Sequence, residues 1–165
     1  MLPILISLAS ACSCIYYENV SDKLKNADYV FSGKVTDIKL VDAYSNQKMQ
    51  EVTVRIINSW KPSAFPESVN LVIYSNIDSG ANCGYNFEED KEYLVYAYLD
   101  DETQKFMTNS CMGNLVLSKT DKEIKDLNEL TQNTNNNPNN NNNTAEPIDS
   151  NIFTKFFNWL KSLFS

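Results

Sequence analysis

Cys12-Ser13-Cys14 stands directly behind a short apolar leader that ends Ala9-Ser10-Ala11. Small residues at minus three and minus one are what signal peptidase accepts, so cleavage after Ala11 is expected and Cys12 becomes the first residue of the mature chain. A cysteine in that position offers a thiol, an α-amine and a backbone carbonyl from one residue. The amine and carbonyl can close a five-membered chelate ring on a metal held by another protein. The leader, residues 1–11, has an apolar centre in Ile4-Leu5-Ile6 but no Lys or Arg. Lipid attachment at Cys12 is the rival fate, and it would consume the thiol. Ala9 stands where a lipoprotein signal has a large aliphatic residue, so ordinary export to the extracellular space is the expectation.

The 165-residue chain carries four cysteines, and an even number in an exported chain reads as two disulfides. Counting alone leaves three pairings open. There is no histidine, which removes the protease-type base, the usual catalytic zinc triad and the imidazole switch. The acidic runs Glu88-Glu89-Asp90 and Asp100-Asp101-Glu102 fall where turns are expected and read as solvated surface. A thiol–disulfide enzyme built on Cys12 and Cys14 is disfavoured, because no helix follows the pair to lower a thiol pKa. No enzyme activity and no cofactor of its own are therefore expected. A net charge of −7 without a basic cluster argues against a nucleic-acid partner.

Ser21, Asp22, Leu24 and Lys25 suggest a short helix capped at Ser21 and ending near Asn26. Strand-like runs follow at Tyr29–Ile38, Val52–Ile57, Val69–Tyr74, Tyr93–Tyr98 and Lys105–Thr108, rich in β-branched and aromatic residues. Gly33 inside the first run suggests a bulge or sharp bend. The segment Val41 to Gln50 reads as a polar loop between the first two strands. A helix from about Lys119 to Leu130, capped by Ser118, closes the sequence of elements. Five strands and flanking helices imply a mainly β domain over residues 12–130, a small closed or partly open antiparallel barrel.

Beyond Leu130 the composition shifts. Residues 131–148 are dominated by asparagine and cannot bury enough apolar surface to offset their ordering entropy, so a disordered linker is expected. Residues 149–165 differ again: Phe153, Phe156, Phe157, Leu160, Leu163 and Phe164 fall on one helical stripe, opposite Lys155, Asn158 and Lys161. A helix of about 14 residues is only ~21 Å long, too short to cross a bilayer. It suits lying on a membrane surface, or docking on a partner. Asn19-Val20-Ser21 and Asn142-Asn143-Thr144 fit the glycosylation pattern.

Together these residues resemble the N-terminal, netrin-type domain of the tissue inhibitors of metalloproteinases. The resemblance begins at Cys12-Ser13-Cys14 and continues through Asn26-Ala27-Asp28-Tyr29-Val30-Phe31-Ser32-Gly33-Lys34-Val35. Ala81-Asn82-Cys83-Gly84, Lys91-Glu92-Tyr93-Leu94-Val95 and Asn109-Ser110-Cys111 complete it, over about residues 12–130. It implies a five-stranded oligonucleotide/oligosaccharide-binding (OB) type barrel, with Cys12 bridged to Cys83 and Cys14 to Cys111. It also implies a secreted inhibitor of zinc metalloendopeptidases. In that family's mechanism the amine and carbonyl of Cys12 would ligate the target enzyme's zinc, and Ser13 would enter the pocket beside it. Cys14, Ile15 and Tyr16 would run along the cleft, with Ala81 and Asn82 flanking the other side. Similar netrin-type domains serve as binding modules that inhibit nothing, so a surface-tethered, non-inhibitory module is the alternative.

Overall fold

The computed structural model describes residues 12–15, 17–43, 48–62, 69–78 and 82–135. The leader, Tyr16, Ala81, Asn142, the linker beyond residue 135 and the amphipathic segment 149–165 lie outside the described residues. The chain divides into two compact units, Met1–Gln132 and Asn133–Ser165. The first is mainly β. Among the described residues, no helix is long and apolar enough to cross a membrane.

Helix α1 spans Val20–Asn26, and strands β1 to β6 follow at Tyr29–Asp42, Lys48–Lys61, Asn70–Asn76, Glu92–Leu99, Phe106–Met107 and Leu115–Val116. Helix α2 spans Asp121–Asn135. Strands β1, β2 and β3 pair in antiparallel succession. Strand β3 then pairs with β5, with Ile73 opposite Phe106 and Tyr74 opposite Met107. Strand β5 pairs with the end of β4, and β4 returns to β1 from Tyr29↔Ala97 to Lys34↔Glu92. The hydrogen-bonded neighbours thus close into a ring of five strands, with β6 added on the far edge of β4.

The period-2 pattern of the strands explains how two apolar layers arise from one sheet. Phe31 and Val35 of β1 face Val52, Val54 and Ile56 of β2, Leu71 and Ile73 of β3, and Tyr93, Val95 and Ala97 of β4. The alternate residues Val30, Leu94 and Tyr96 point the other way, onto Ala27, Trp60 and Leu127. Val20 and Leu24 of α1 and Ile124 of α2 pack against that second layer. Strand β4 is buried from Tyr93 to Ala97 on both faces for this reason, and reads as a continuous apolar run.

Polar bonds fix the helices to the sheet. Trp60 Nε1 donates to Asn128 Oδ1 at 2.7 Å. Lys61 Nζ donates to the Ala27 and Leu24 carbonyls at 2.6 and 3.1 Å, supplying donors to the end of α1, where carbonyls lack helical partners. Lys23 and Glu123 form a largely buried ion pair at 2.9 Å, and the Tyr96 hydroxyl donates to the same carboxylate at 2.7 Å.

Several expectations need correction. There are six strands among the described residues, not five, and the β3–β5 pairing is parallel, so the sheet is not wholly antiparallel. The loop expected from Val41 to Gln50 is shorter, because β1 runs to Asp42 and β2 starts at Lys48. The ends of the two strands pair as a two-stranded ribbon, with Val41 opposite Met49 and Asp42 opposite Lys48 as an ion pair. Helix α1 is capped by Asn19, not Ser21: Asn19 Oδ1 accepts the Asp22 N–H at 2.8 Å. Residues Leu117–Lys119 form a 3₁₀ turn, so Ser118 is not the cap and α2 begins at Asp121. Helix α2 continues past Leu130 to Asn135, so residues 131–135 are helical rather than part of a disordered linker. Gly33 does sit at a break in the β1–β2 register. A Cβ there would come within 2.5 Å of Val54 Cγ1 and 2.7 Å of the Arg55 carbonyl oxygen.

Candidate functional site

Two loops receive the cysteine-rich start of the domain. The first, around Cys83, follows β3 and is shaped by side chains that accept backbone protons. Asn82 Oδ1 accepts the Gly84 N–H at 3.2 Å, Ser75 Oγ accepts the Tyr85 N–H at 2.9 Å, and Gln50 Oε1 accepts the Phe87 N–H at 2.9 Å. Cys83 itself adopts a left-handed backbone with φ 52°. Gly84 passes so close to β3 that a Cβ would collide with the Asn76 carbonyl and approach the Asp78 nitrogen at 2.6 Å. Only glycine fits there.

The second loop carries Cys111 on the 3₁₀ turn Ser110–Met112. Asn109 caps that turn by accepting the Cys111 N–H on Oδ1 at 2.9 Å. Gly113 ends it with φ 87°. Behind the turn, buried Asn114 Nδ2 donates to Thr108 Oγ1 at 2.7 Å and to the Asn109 carbonyl at 3.1 Å. Asn114 Oδ1 accepts the Tyr96 N–H at 2.9 Å, and Thr108 Oγ1 donates to the Tyr96 carbonyl at 2.7 Å. No buried side-chain nitrogen or oxygen among the described residues lacks a hydrogen-bond partner. Such a satisfied network rigidifies the turn that it supports.

The two loops also hold each other. The Cys83 carbonyl accepts the Ser110 N–H at 2.9 Å and the Ser110 hydroxyl at 3.1 Å. Against this paired platform Cys12 bonds to Cys83 and Cys14 to Cys111, with Cα separations of 5.2 and 5.1 Å. This is the pairing implied by the resemblance. Cys12 is half-buried, while Ser13, Cys14 and Ile15 are exposed, Ile15 to 77%. The segment is therefore held at both ends of Ser13 and open along its outer side.

The expected site residues are not all placed alike. Cys12, Ser13, Cys14 and Ile15 form one contiguous strip, and Asn82 lies beside it through Cys83. Asn82 is half-buried, with its side-chain oxygen engaged in the turn to Gly84. Ala81 and Tyr16 lie outside the described residues. Asn109, Ser110 and Gly84 position the platform, although sequence reading gave none of them a role. The signal was an Asx residue two positions before a cysteine and a glycine directly after one. A shallow polar groove between α1 and α2, lined by Tyr17, Glu18, Lys23, Lys122, Glu123 and Asp126, is a separate feature, and its Lys23–Glu123 pair is already mutually satisfied.

The described residues thus form a mainly β domain with a five-stranded ring and a disulfide-stapled Cys-x-Cys strip along its surface. No protein-family model and no curated protein matches the chain.

Proposed function

We propose that this chain is a secreted inhibitor of zinc metalloendopeptidases, built on a netrin-type OB barrel like that of the tissue inhibitors of metalloproteinases. The observation that carries the reading is the exposed Cys12–Ile15 strip, bonded at Cys12 and Cys14 to two loops that are themselves hydrogen-bonded together. A strip held in this way binds without the entropic cost of ordering a loose tail. The five-stranded closed ring is compatible with the OB-type barrel that the reading requires.

In this mechanism the mature chain begins at Cys12. Its α-amine and carbonyl take the open position of the target's catalytic zinc, displacing the water that would attack substrate. Ser13 occupies the adjoining pocket, and Cys14 and Ile15 extend the contact along the cleft, with Asn82 at its side. The amine ligates only when deprotonated. With an ordinary α-amine pKa of about 7.7–8.0, inhibition weakens as pH falls below that value. Residues 149–165 would tether the inhibitor to a membrane surface.

The test compares a chain beginning at Cys12 with one that retains Ala11, each assayed against a panel of zinc metalloendopeptidases. The expected result is inhibition by the first and a loss of at least a hundredfold in affinity for the second. Equal potency of the two, or no inhibition across the panel, removes the chelation mechanism and leaves a netrin-type binding module.

A further inference from the structure

The sulfurs of the two bridges are not isolated pairs. Cys12 Sγ lies 3.9 Å from Cys14 Sγ and 3.9 Å from Cys111 Sγ while bonded to neither. All four sulfurs fall within 4.8 Å of one another. A tetrahedral zinc–thiolate centre with Zn–S bonds of about 2.3 Å has its sulfurs ~3.8 Å apart. Two edges of such a tetrahedron are thus already present across the bridges. We propose that Cys12, Cys14, Cys83 and Cys111, once reduced, form a tetrathiolate site for a thiophilic divalent cation, with zinc as the ion that fits.

The backbone supports this without rearrangement of the platform. Cys83 is fixed through its carbonyl by Ser110, and Cys111 through its N–H by Asn109. None of those bonds involves sulfur, so reducing the disulfides removes no atom from them. The bonded pairs have Cα separations of 5.2 and 5.1 Å, and opening each pair to a tetrahedral edge calls on rotation of the cysteine side chains. Four thiolates select zinc over calcium or magnesium, which take oxygen ligands. With four protein ligands the centre is closed, and its role is structural.

The chemistry balances with a dithiol as reductant. Two dithiol molecules pass four electrons and four protons to the two disulfides, and each dithiol closes into its own cyclic disulfide. The four protein thiols then release four protons to solvent as they bind one zinc ion. Bound zinc would keep the Cys12–Cys14 segment on the same two loops that the bridges hold. This inference goes beyond the inhibitory reading and does not depend on it.

The experiment uses the full chain, reduced with a dithiol, desalted without oxygen and titrated with cobalt(II), then zinc. Expected are one metal per chain, the intense visible absorption of tetrahedral cobalt–thiolate, and its loss as zinc displaces cobalt. Near-UV circular dichroism of the aromatic side chains should match that of the oxidised chain once zinc is bound. Cys83→Ser and Cys111→Ser should each weaken zinc affinity at least tenfold. A pale octahedral cobalt spectrum, no metal retained after desalting, or either variant binding as tightly as the parent overturns the proposal. So does zinc uptake by a chain whose near-UV signal stays lost.

Discussion

Tyr74 shows how one side chain links packing to pH. Burial, then the hydrogen bond to Glu51 Oε2 at 2.8 Å, push its phenol up to about 12 from an ordinary 10.0. Lys105 lies 4.3 Å from the centre of the same ring. Because the folded value is the higher one, the unfolded chain loses this proton first as pH rises. The stability contributed is complete below pH 10 and is lost as pH climbs towards about 12. Alkaline unfolding monitored together with tyrosinate absorbance should therefore show Tyr74 ionising late, and Tyr74→Phe should unfold less steeply over that range. A variant whose alkaline profile superimposes on the parent's would remove this assignment. Tyr85 is raised to about 12 as well, chiefly by burial. No such coupling could be read from sequence, since Glu51 and Tyr74 meet only through the β2–β3 register.

At the scale of elements, Leu127 is the fully buried residue among the described side chains of α2, set against Val30, Leu94 and Tyr96. Leu127→Ala should cost about 2–5 kcal/mol in chemical denaturation, the range for an apolar truncation that leaves a cavity. A loss under about 0.5 kcal/mol, as for an ordinary surface change, would mean that the helix is not anchored there. Strands β1 to β4 were legible because Val52/Val54, Leu71/Ile73 and Tyr93/Val95 repeat every second residue, and Phe31, Gly33 and Val35 keep that period with glycine in the middle place. The ends of β1 and β2 were not. Lys39, Asp42, Lys48 and Glu51 carry no apolar pattern, and only cross-strand pairing makes them strand. Strand β6 is two residues long and has no period to detect. The parallel contact of β5 with β3 depends on how the ring closes, which local sequence does not encode. Helix α2 outran its expected end because Thr131 and the asparagines after it are poor helix formers, continued by the ladder begun at Asp121. Thr131 Oγ1 bonds back to the Leu127 carbonyl at 2.9 Å. Of the candidate site, the cysteine strip was visible in residue types alone, whereas the Asn109–Ser110 platform needed two distant loops brought together.

For the whole molecule, the ring and the bridges act on different states. Closure of five strands gives β4 partners along both edges, on β1 and on β5 and β6, which removes a free edge from the most apolar strand. The disulfides span 71 and 97 residues and act largely by restricting the unfolded chain, each by roughly 2–4 kcal/mol. Their spans overlap, with one consequence for damage. A peptide bond hydrolysed anywhere between Cys14 and Cys83 leaves two fragments joined by both bridges, and a cut between Cys83 and Cys111 leaves them joined by the second. Limited digestion should therefore yield a nicked species that migrates as one band without reductant and as two with it. Separation without reductant of a chain cut between Cys14 and Cys111 would contradict this connectivity. The oxidised protein can be broken as a chain and remain whole as a molecule.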